Sequence, residues 1–279
     1  MSNAIDIDPS LLARFPLPRI AEDAGKEERG RLLVIAGSRE LAGAGKLQIG
    51  TAASLATALA VAVPEARVIG YPETDEGCIA EAGIEPLIGW AKAAQAVAIG
   101  CGLKQGPPLE TFFARLLGCG ADIPLVLDAA VLDCLAPLED RVCRWGGGSI
   151  LLPHAGEMAR LLGRDESEVQ ADPAAAALEA AKRFNAVALV KGRFSFVASS
   201  GGDVFRLEGG GVGLATSGSG DTLSGIVGGL CARGADPLAA TLWGVWLHAE
   251  AGRLLSRRVG RVGFLAREIP DLIPGLLPD

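Results

Sequence analysis

Residues 213–223, GLATSGSGDTL, place five small residues (216–220) directly before a single acid, Asp221. Apolar residues then recur at helical spacing over 223–231, so a helix is predicted to begin just after the small residues. The free N–H groups of a helix start attract a phosphate or a developing oxyanion, and small residues let the backbone approach it closely. Asp221 is therefore either a first-turn acid favoured by the helix dipole or a general base for a hydroxyl that attacks a phosphoryl group.

A second polar group is His154-Ala155-Gly156-Glu157, which follows a predicted strand. A glutamate that opens a helix is commonly a capping or surface residue. Beside an anion site, Glu157 would instead hold Mg²⁺ through water, and His154 would contact a substrate.

Other phosphate and metal patterns fail on their spacing. Gly45-Lys46 lacks both the first glycine and the Ser/Thr of a Walker A loop, and Gln48 stands where a G-x-G-x-x-G motif beginning at Gly43 needs its last glycine. The chain has no G-x-S-x-G elbow. Two histidines are too few for the zinc hydrolase patterns.

Composition narrows the class of protein. The net charge is −7 without a long basic stretch, which argues against nucleic acid as a partner. The six cysteines are scattered without a C-x-x-C, as expected for reduced thiols in a cytoplasmic protein. The N-terminus lacks a signal-peptide pattern, and the longest apolar segment, 47–63, is broken by polar residues and glycine, so no membrane partner is expected.

Short apolar runs alternate with helical patterns along the chain. Strands are predicted at 31–38, 66–72, 96–102, 124–129, 149–154 and 186–192. Helices are predicted at 45–62, 83–93, 108–118, 156–163, 173–184, 221–233, 236–257 and 266–276. The alternation predicts an α/β fold, a central and mainly parallel sheet with helices on both faces. Residues 194–209 predict a small β-hairpin around Gly201-Gly202.

Neither a repeat nor a linker interrupts the pattern, so residues 1–279 are predicted to form one domain. Several predicted strands end in polar or glycine-rich turns. In a sheet of this type ligands bind beyond the carboxyl ends of the strands, so these turns are expected to share a cleft.

Three segments together resemble the ADP/ATP-dependent NAD(P)H-hydrate dehydratases of the ribokinase-like superfamily. They are PHAGEM at 153–158, VKG at 190–192 and GLATSGSGDTLSGIVGGL at 213–230. The opening at 24–38 is similar to the family's K-G-x-x-G-x-V-L-V-I-G-G-S, and 43–44 and 100–103 fall where its substrate-side glycines lie. The resemblance covers nearly the whole chain and implies a ribokinase-like fold, without the N-terminal epimerase domain that some relatives carry.

The resemblance also implies a reaction and its residues. NADH or NADPH that carries an added water would be phosphorylated on the ring hydroxyl from ADP or ATP, and loss of phosphate would restore the dihydronicotinamide. Asp221 would be the base, with Gly218, Ser219 and Gly220 as the anion hole. The implied substrate contacts are Ala44, Gly102, His154 and Asp221. The implied nucleotide contacts are Lys191, Gly192, Arg193, Phe194, Ser195 and Gly220. Glu157 would organise Mg²⁺, and a homo-oligomer, with a tetramer favoured, is expected.

The chain departs from the family pattern near the expected cleft. Ala130 stands where the family has the second acid of D-A-D, and Cys101 and Lys104 replace the proline and last glycine of G-P-G-L-G. Gly211 stands where an asparagine is common. These changes leave the base and the anion hole intact.

Two other functions share these residues. A small-molecule kinase of the same superfamily, acting on a vitamin precursor or a carbohydrate, would release a stable phosphorylated product. A non-catalytic nucleotide-binding relative would bind ADP but would be unaffected by Asp221→Asn.

Overall fold

The computed structural model describes residues 4–19, 21, 23, 25, 29–36 and 46–278. Over these residues ten strands form one sheet in the order β1-β10-β9-β8-β7-β6-β5-β2-β3-β4. The strands are β1 Ile5–Asp6, β2 Arg31–Ile35, β3 Lys46–Ala52, β4 Ala66–Tyr71, β5 Ala96–Ile99, β6 Leu125–Leu127, β7 Ser149–Leu151, β8 Val187–Val190, β9 Phe194–Ala198 and β10 Val204–Glu208. All neighbouring pairs are parallel except β8–β9 and β9–β10. The predicted parallel sheet and the hairpin, which is β9–β10, are both confirmed.

Ten α-helices accompany the sheet in the described part of the chain. They are α1 Pro9–Leu12, α2 Ala53–Ala62, α3 Ile84–Ala93, α4 Pro107–Leu117, α5 Glu139–Cys143, α6 Ala155–Leu162, α7 Glu166–Ala171, α8 Pro173–Arg183, α9 Ser219–Ala232 and α10 Pro237–Arg258. Local chemistry sets several helix starts. Asp172 caps α8 by accepting from Ala175 N, and Asp236 caps α10 by accepting from Leu238 N, each with a proline in the first turn.

Alternating side chains of the strands bury apolar groups on both faces of the sheet. On one face Leu33, Val97 and Leu125 pack in a cluster with residues of α3, α4, α6 and α8. On the other face Leu32 and Val126 pack with residues of α1, α9 and α10. Both faces of the sheet are thus covered, as the continuous apolar character of the central strands predicts.

The structure differs from the sequence prediction at 45–62. Lys46–Ala52 is a strand, and the helix covers only Ala53–Ala62. β3 pairs in parallel with β2 and β4 on its two sides, so these ladders decide the conformation of a segment whose composition also suits a helix. The predicted helix at 266–276 is a series of three short 3₁₀ turns instead.

The topology brings four parallel strand ends to one edge of the sheet. β5 ends at Ile99, β6 at Leu127, β7 at Leu151 and β8 at Val190, and these strands are sequential neighbours. α9 begins with Ser219 and packs over β5 and β6. The residues that follow these strands therefore meet the first turn of α9.

The six thiols are all free, with Cys101, Cys134 and Cys231 buried. Among the described residues no helix has the length and apolarity needed to span a bilayer.

Candidate active site

The first turn of α9 has no side-chain cap. Gly218, the N-cap residue, has φ +85°, a left-handed conformation that glycine adopts without strain. Asp221 lies in this first turn and is partly exposed. The structure thus places Gly218, Ser219, Gly220 and Asp221 at one helix start, where the macrodipole favours an anion.

A buried ion pair stands beside this helix start. Lys191, directly after β8, places its Nζ 2.7 Å from Oδ1 of Asp128, which directly follows β6. The Asp128 carboxylate also accepts from Ala129 N at 2.8 Å and from the Ser224 hydroxyl. Ser224 lies one turn into α9, so Asp128 ties the ends of two strands to the helix that carries Asp221.

Lys191 also lies against the glycine of the helix start. A Cβ added at Gly220 would lie 3.4 Å from Lys191 Nζ, so the ammonium group lies within van der Waals contact distance of this position. Burial by itself would lower the pKa of Lys191, but the charge and hydrogen bond of Asp128, with a further contribution from Glu157, leave that pKa raised. Lys191 is therefore a permanent cation next to the positive end of α9.

Cys101, two residues after the end of β5, contacts the proposed catalytic acid Asp221. Its side chain is buried and hydrogen-bonds to the Asp221 carboxylate. Burial, together with the charges of Asp128 and Asp221, raises the pKa of Cys101. The thiol is consequently protonated and donates to Asp221, at the position where the family pattern has a proline.

His154 and Glu157 form a capping box at the start of α6. Glu157 Oε2 accepts from His154 N at 2.8 Å, and His154 Nδ1 accepts from Gly156 N at 3.0 Å. Because Nδ1 accepts, neutral His154 carries its proton on Nε2, which makes Nε2 the donor on this half-exposed ring. Both residues thus cap α6. A parallel β-bridge between the backbones of His154 and Lys191 keeps the cap beside the buried ion pair.

His248 of α10 contacts Ser219, the first residue of α9. Its Nε2 lies 3.0 Å from the Ser219 carbonyl oxygen and 3.0 Å from Ser219 Oγ. A carbonyl oxygen can only accept, so Nε2 carries the proton, and the Ser219 hydroxyl keeps its own proton for another acceptor. Burial lowers the pKa of His248 to about 4, with Lys191 adding to the effect, so this imidazole is neutral at neutral pH.

The other residues predicted to contact the nucleotide lie after Lys191, in the segment that continues into β9. Gly192 connects Lys191 to β9, and Phe194 and Ser195 lie on that strand. Phe194 is 39% exposed, with the Arg193 guanidinium 5.6 Å from its ring centre. Within the described residues no hydrogen bond or ion pair joins 193–195 to α9, whereas Lys191 lies next to Gly220.

Gly102, a predicted substrate contact, lines a mostly apolar pocket of about 90 Å³, to which residues 218–221 do not contribute. Its lining includes Ile35, Leu55, Cys78, Leu103, Lys104 and Phe112. Gly102 directly follows Cys101, so the pocket begins next to the residue that contacts Asp221. Ala44, the other predicted contact on this side, lies outside the described residues.

The carboxylate groups near α9 decide whether the site could hold Mg²⁺. Among the described residues no cluster of three or more His, Cys, Asp or Glu side chains could enclose a metal ion. Mg²⁺ in nucleotide sites commonly uses only one or two carboxylates together with phosphate oxygens and water. Glu157 commits Oε2 to the His154 amide, so its other oxygen suits a water-mediated contact, and the residues present fit an ion that arrives with a nucleotide.

Sequence reasoning did not assign site roles to Asp128, Ser224, Cys101 or His248. Asp128 had a signal, because it lies at a strand end in a motif shared with the family. Ser224 and His248 had none, since their roles depend on how α9 and α10 pack against the sheet edge.

Comparisons with known proteins show the family of the chain. The family model described as NAD(P)H-hydrate dehydratase matches residues 26–275. An ADP-dependent (S)-NAD(P)H-hydrate dehydratase of Xanthomonas campestris pv. campestris is 45% identical, over 97% of this chain and 95% of the relative. The crystal structure of the ADP/ATP-dependent NAD(P)H-hydrate dehydratase of Bacillus subtilis, co-crystallised with ATP/Mg²⁺, superposes with a TM-score of 0.80 at 28% identity, covering 99% of this chain and 98% of that one.

A ribokinase-like superfamily protein of Enterococcus faecalis shares the fold, with a TM-score of 0.80 at 22% identity over 99% of this chain and 96% of its own. The predicted ribokinase-like fold is therefore confirmed. With a family model that covers most of its length and a relative of nearly equal length, the chain belongs to the NAD(P)H-hydrate dehydratase family.

Proposed function

We propose that this chain repairs hydrated nicotinamide cofactors, as an ADP-dependent (S)-NAD(P)H-hydrate dehydratase. The observation that carries the proposal is the Asp221 carboxylate in the uncapped first turn of α9, next to the buried Lys191–Asp128 pair. The name of the Xanthomonas relative, at 45% identity, supports the reaction and ADP as the donor.

In the first step Asp221 takes the proton of the ring hydroxyl, and the oxygen attacks the terminal phosphoryl group of ADP. The bond from that phosphorus to the bridging oxygen breaks, and AMP leaves. Negative charge on the transferred group is stabilised by the N–H groups of Gly218 and Gly220 and by Lys191, which are fixed before the reaction begins. The Ser219 hydroxyl, whose proton His248 does not engage, is a further donor.

In the second step the ring carbon–oxygen bond breaks and phosphate departs with the bonding electron pair. The neighbouring ring carbon loses a proton to solvent, and the electrons of that carbon–hydrogen bond form the carbon–carbon double bond of NADH or NADPH. Water is thus removed at the expense of one phosphoanhydride bond. Phosphate leaves far more readily than hydroxide, which is why phosphorylation must come first.

Bound Mg²⁺ would neutralise charge on the nucleotide phosphates. Glu157 is the residue proposed to hold it, through water. We also propose that His154, through its Nε2 proton, Gly102 and Ala44 contact the hydrated cofactor, and that residues 191–195 with Gly220 contact the adenine nucleotide.

The assembly and cell compartment are proposals as well. We propose a homo-oligomer such as a tetramer, and the exposed α2 side chains Val61 (79%) and Leu55 (43%) are candidates for its interface. The six free thiols support the cytoplasm, and the single continuous sheet supports one domain. Light scattering coupled to gel filtration measures the oligomeric state directly.

The test of the function uses hydrated NADH and hydrated NADPH, each with ADP or ATP. Recovery of dihydronicotinamide absorbance, with release of AMP and phosphate, is the expected result with ADP. A stable phosphorylated product would instead identify a small-molecule kinase. Nucleotide binding without turnover of either substrate would identify a non-catalytic relative.

A further inference from the structure

A second pocket lies away from the Asp221 site, between the loop that follows β10 and the last turns of α10. Its volume is about 360 Å³. The residues that line it include Gly209, Gly211, Arg253, Ser256, Arg257 and Arg261. None of residues 218–221 contributes to the lining, so this pocket is separate from the anion hole.

The lining is rich in cationic groups. Arg253 is engaged, since it pairs with Glu250 and donates to the Glu208 carbonyl oxygen at 2.6 Å. The side chains of Arg257 and Arg261 are exposed and make neither an ion pair nor a hydrogen bond with any described residue. Glu208 is the one acid of the lining, so positive charge predominates.

A buried hydroxyl marks the same pocket. Ser256 Oγ is shielded from solvent and has no hydrogen-bond partner among the described residues. A Cβ added at Gly211 would lie 3.7 Å from it, so the loop after β10 packs directly over the hydroxyl. Buried polar groups are nearly always satisfied, and a rotation of this side chain towards the two neighbouring arginines would bring the hydroxyl to an acceptor held there.

The pocket adjoins the proposed nucleotide segment. Gly209 N donates to the Arg193 carbonyl oxygen at 2.8 Å, which joins the lining directly to residues 191–195. The loop after β10 and α10 also pack closely, because a Cβ at Gly210 would lie 2.3 Å from the Ala249 carbonyl oxygen. The two walls of the pocket are therefore fixed relative to each other.

We propose that this pocket binds a phosphate group held by Arg257 and Arg261, and that the Ser256 side chain rotates to donate a hydrogen bond to it. Guanidinium groups match phosphate oxygens in geometry and charge. The phosphate has two sources, free orthophosphate or a phosphate carried on the ribose of a nucleotide whose other end lies along 191–195.

The test measures binding of inorganic phosphate to the full chain by calorimetry. The double variant Arg257→Glu/Arg261→Glu removes both free cations. Arg258→Glu is the matched control, because Arg258 is exposed in the same helical turn but does not line the pocket. We expect the double variant to lose one phosphate site, or at least about tenfold in affinity, while Arg258→Glu changes affinity less than about twofold.

Ser256→Ala gives a second measurement that leaves the charges in place, and about a tenfold loss of affinity is expected for one charge-assisted hydrogen bond. Equal phosphate binding by the wild type and the double variant would overturn the proposal. An equal loss in Arg258→Glu would also overturn it, because the effect would then reflect overall charge.

Two nucleotides distinguish the sources. Adenosine 3′,5′-bisphosphate should bind at least about tenfold more tightly than AMP if the pocket holds a ribose phosphate, and the double variant should abolish that difference. Orthophosphate binding with no difference between the nucleotides identifies free phosphate as the ligand. Since every readout is binding, a negative result leaves the proposed dehydratase activity unaffected.

Discussion

Neutralising Asp128 is expected to destabilise the protein through its effect on Lys191. The Asp128 side chain is 4% exposed and the Lys191 side chain 19%, so little water can solvate an unpaired ammonium group. The Asp128→Asn side chain still accepts from Ala129 N, and its amide N–H can donate to the Ser224 hydroxyl oxygen while Ser224 donates to the Gly220 carbonyl oxygen, but it removes the countercharge. Lys191 would then be buried next to the positive end of α9 without its anion.

Breaking a buried ion pair by removing one partner costs about 3–5 kcal/mol. We expect about 3 kcal/mol here, because the two retained hydrogen bonds limit the rearrangement. At about 2–4 °C per kcal/mol for a domain of this size, the melting temperature should fall by about 6–12 °C.

A double-mutant cycle isolates the pair from other effects of each substitution. Asp128→Asn, Lys191→Met and the double variant are unfolded in urea and compared with the wild type. The double variant should be at least about 2 kcal/mol more stable than the sum of the single changes predicts, since it buries no unpaired charge. A matched surface control is Asp6→Asn, which breaks the exposed pair with Arg206 and should cost at most about 1 kcal/mol. Strict additivity, or a cost for Asp128→Asn no larger than this control, would refute the electrostatic reasoning.

Two further changes test the supporting structure. Folding lowers the pKa of His248 from its ordinary 6.5 to about 4. Between these two pH values the unfolded chain therefore binds more protons than the folded protein, so the folded state loses stability as the pH falls from 6.5 towards 4. The full loss amounts to about 3 kcal/mol. The free energy of unfolding in urea, measured from pH 7 to 5, should depend less steeply on pH in His248→Gln than in the wild type. An equally steep dependence in the two proteins would exclude His248 as the origin of the effect. Gly100→Ala should cost about 3 kcal/mol or more in thermal unfolding, because φ is +124° and the new Cβ would lie 1.7 Å from the Asp128 carbonyl oxygen. Gly120→Ala, also at positive φ but with no atom within 4 Å of the new Cβ, is its control and should cost about 1 kcal/mol; equal losses would contradict the steric account.

Local sequence rules predicted much of the fold because most elements here follow them. The apolar runs of the central strands and the Asp-Pro starts of α8 and α10 correspond to observed elements. The same rules assigned 46–52 to a helix, since its residues suit either state and only pairing with β2 and β4 makes it a strand. Long-range pairing of this kind leaves no signal in a short window.

The part of the site that lies in one continuous segment could be predicted from the sequence. Residues 218–221 form the helix start that their composition predicts. Asp128 and Ser224 lie far apart in sequence and meet only because β6 and α9 converge, so no spacing rule could join them. The contact between Cys101 and Asp221 has the same origin, although the replacement of a family proline by cysteine marked the position.

The central claim is that Asp221 removes the proton of the hydroxyl that becomes phosphorylated. Steady-state turnover of hydrated NADH with ADP by Asp221→Asn, together with calorimetric binding of ADP to the same variant, tests it most directly. The account predicts a kcat lower by about 10²–10⁴-fold with an ADP affinity within about threefold of the wild type. An Asp221→Asn enzyme that restores NADH at close to the wild-type rate would contradict it.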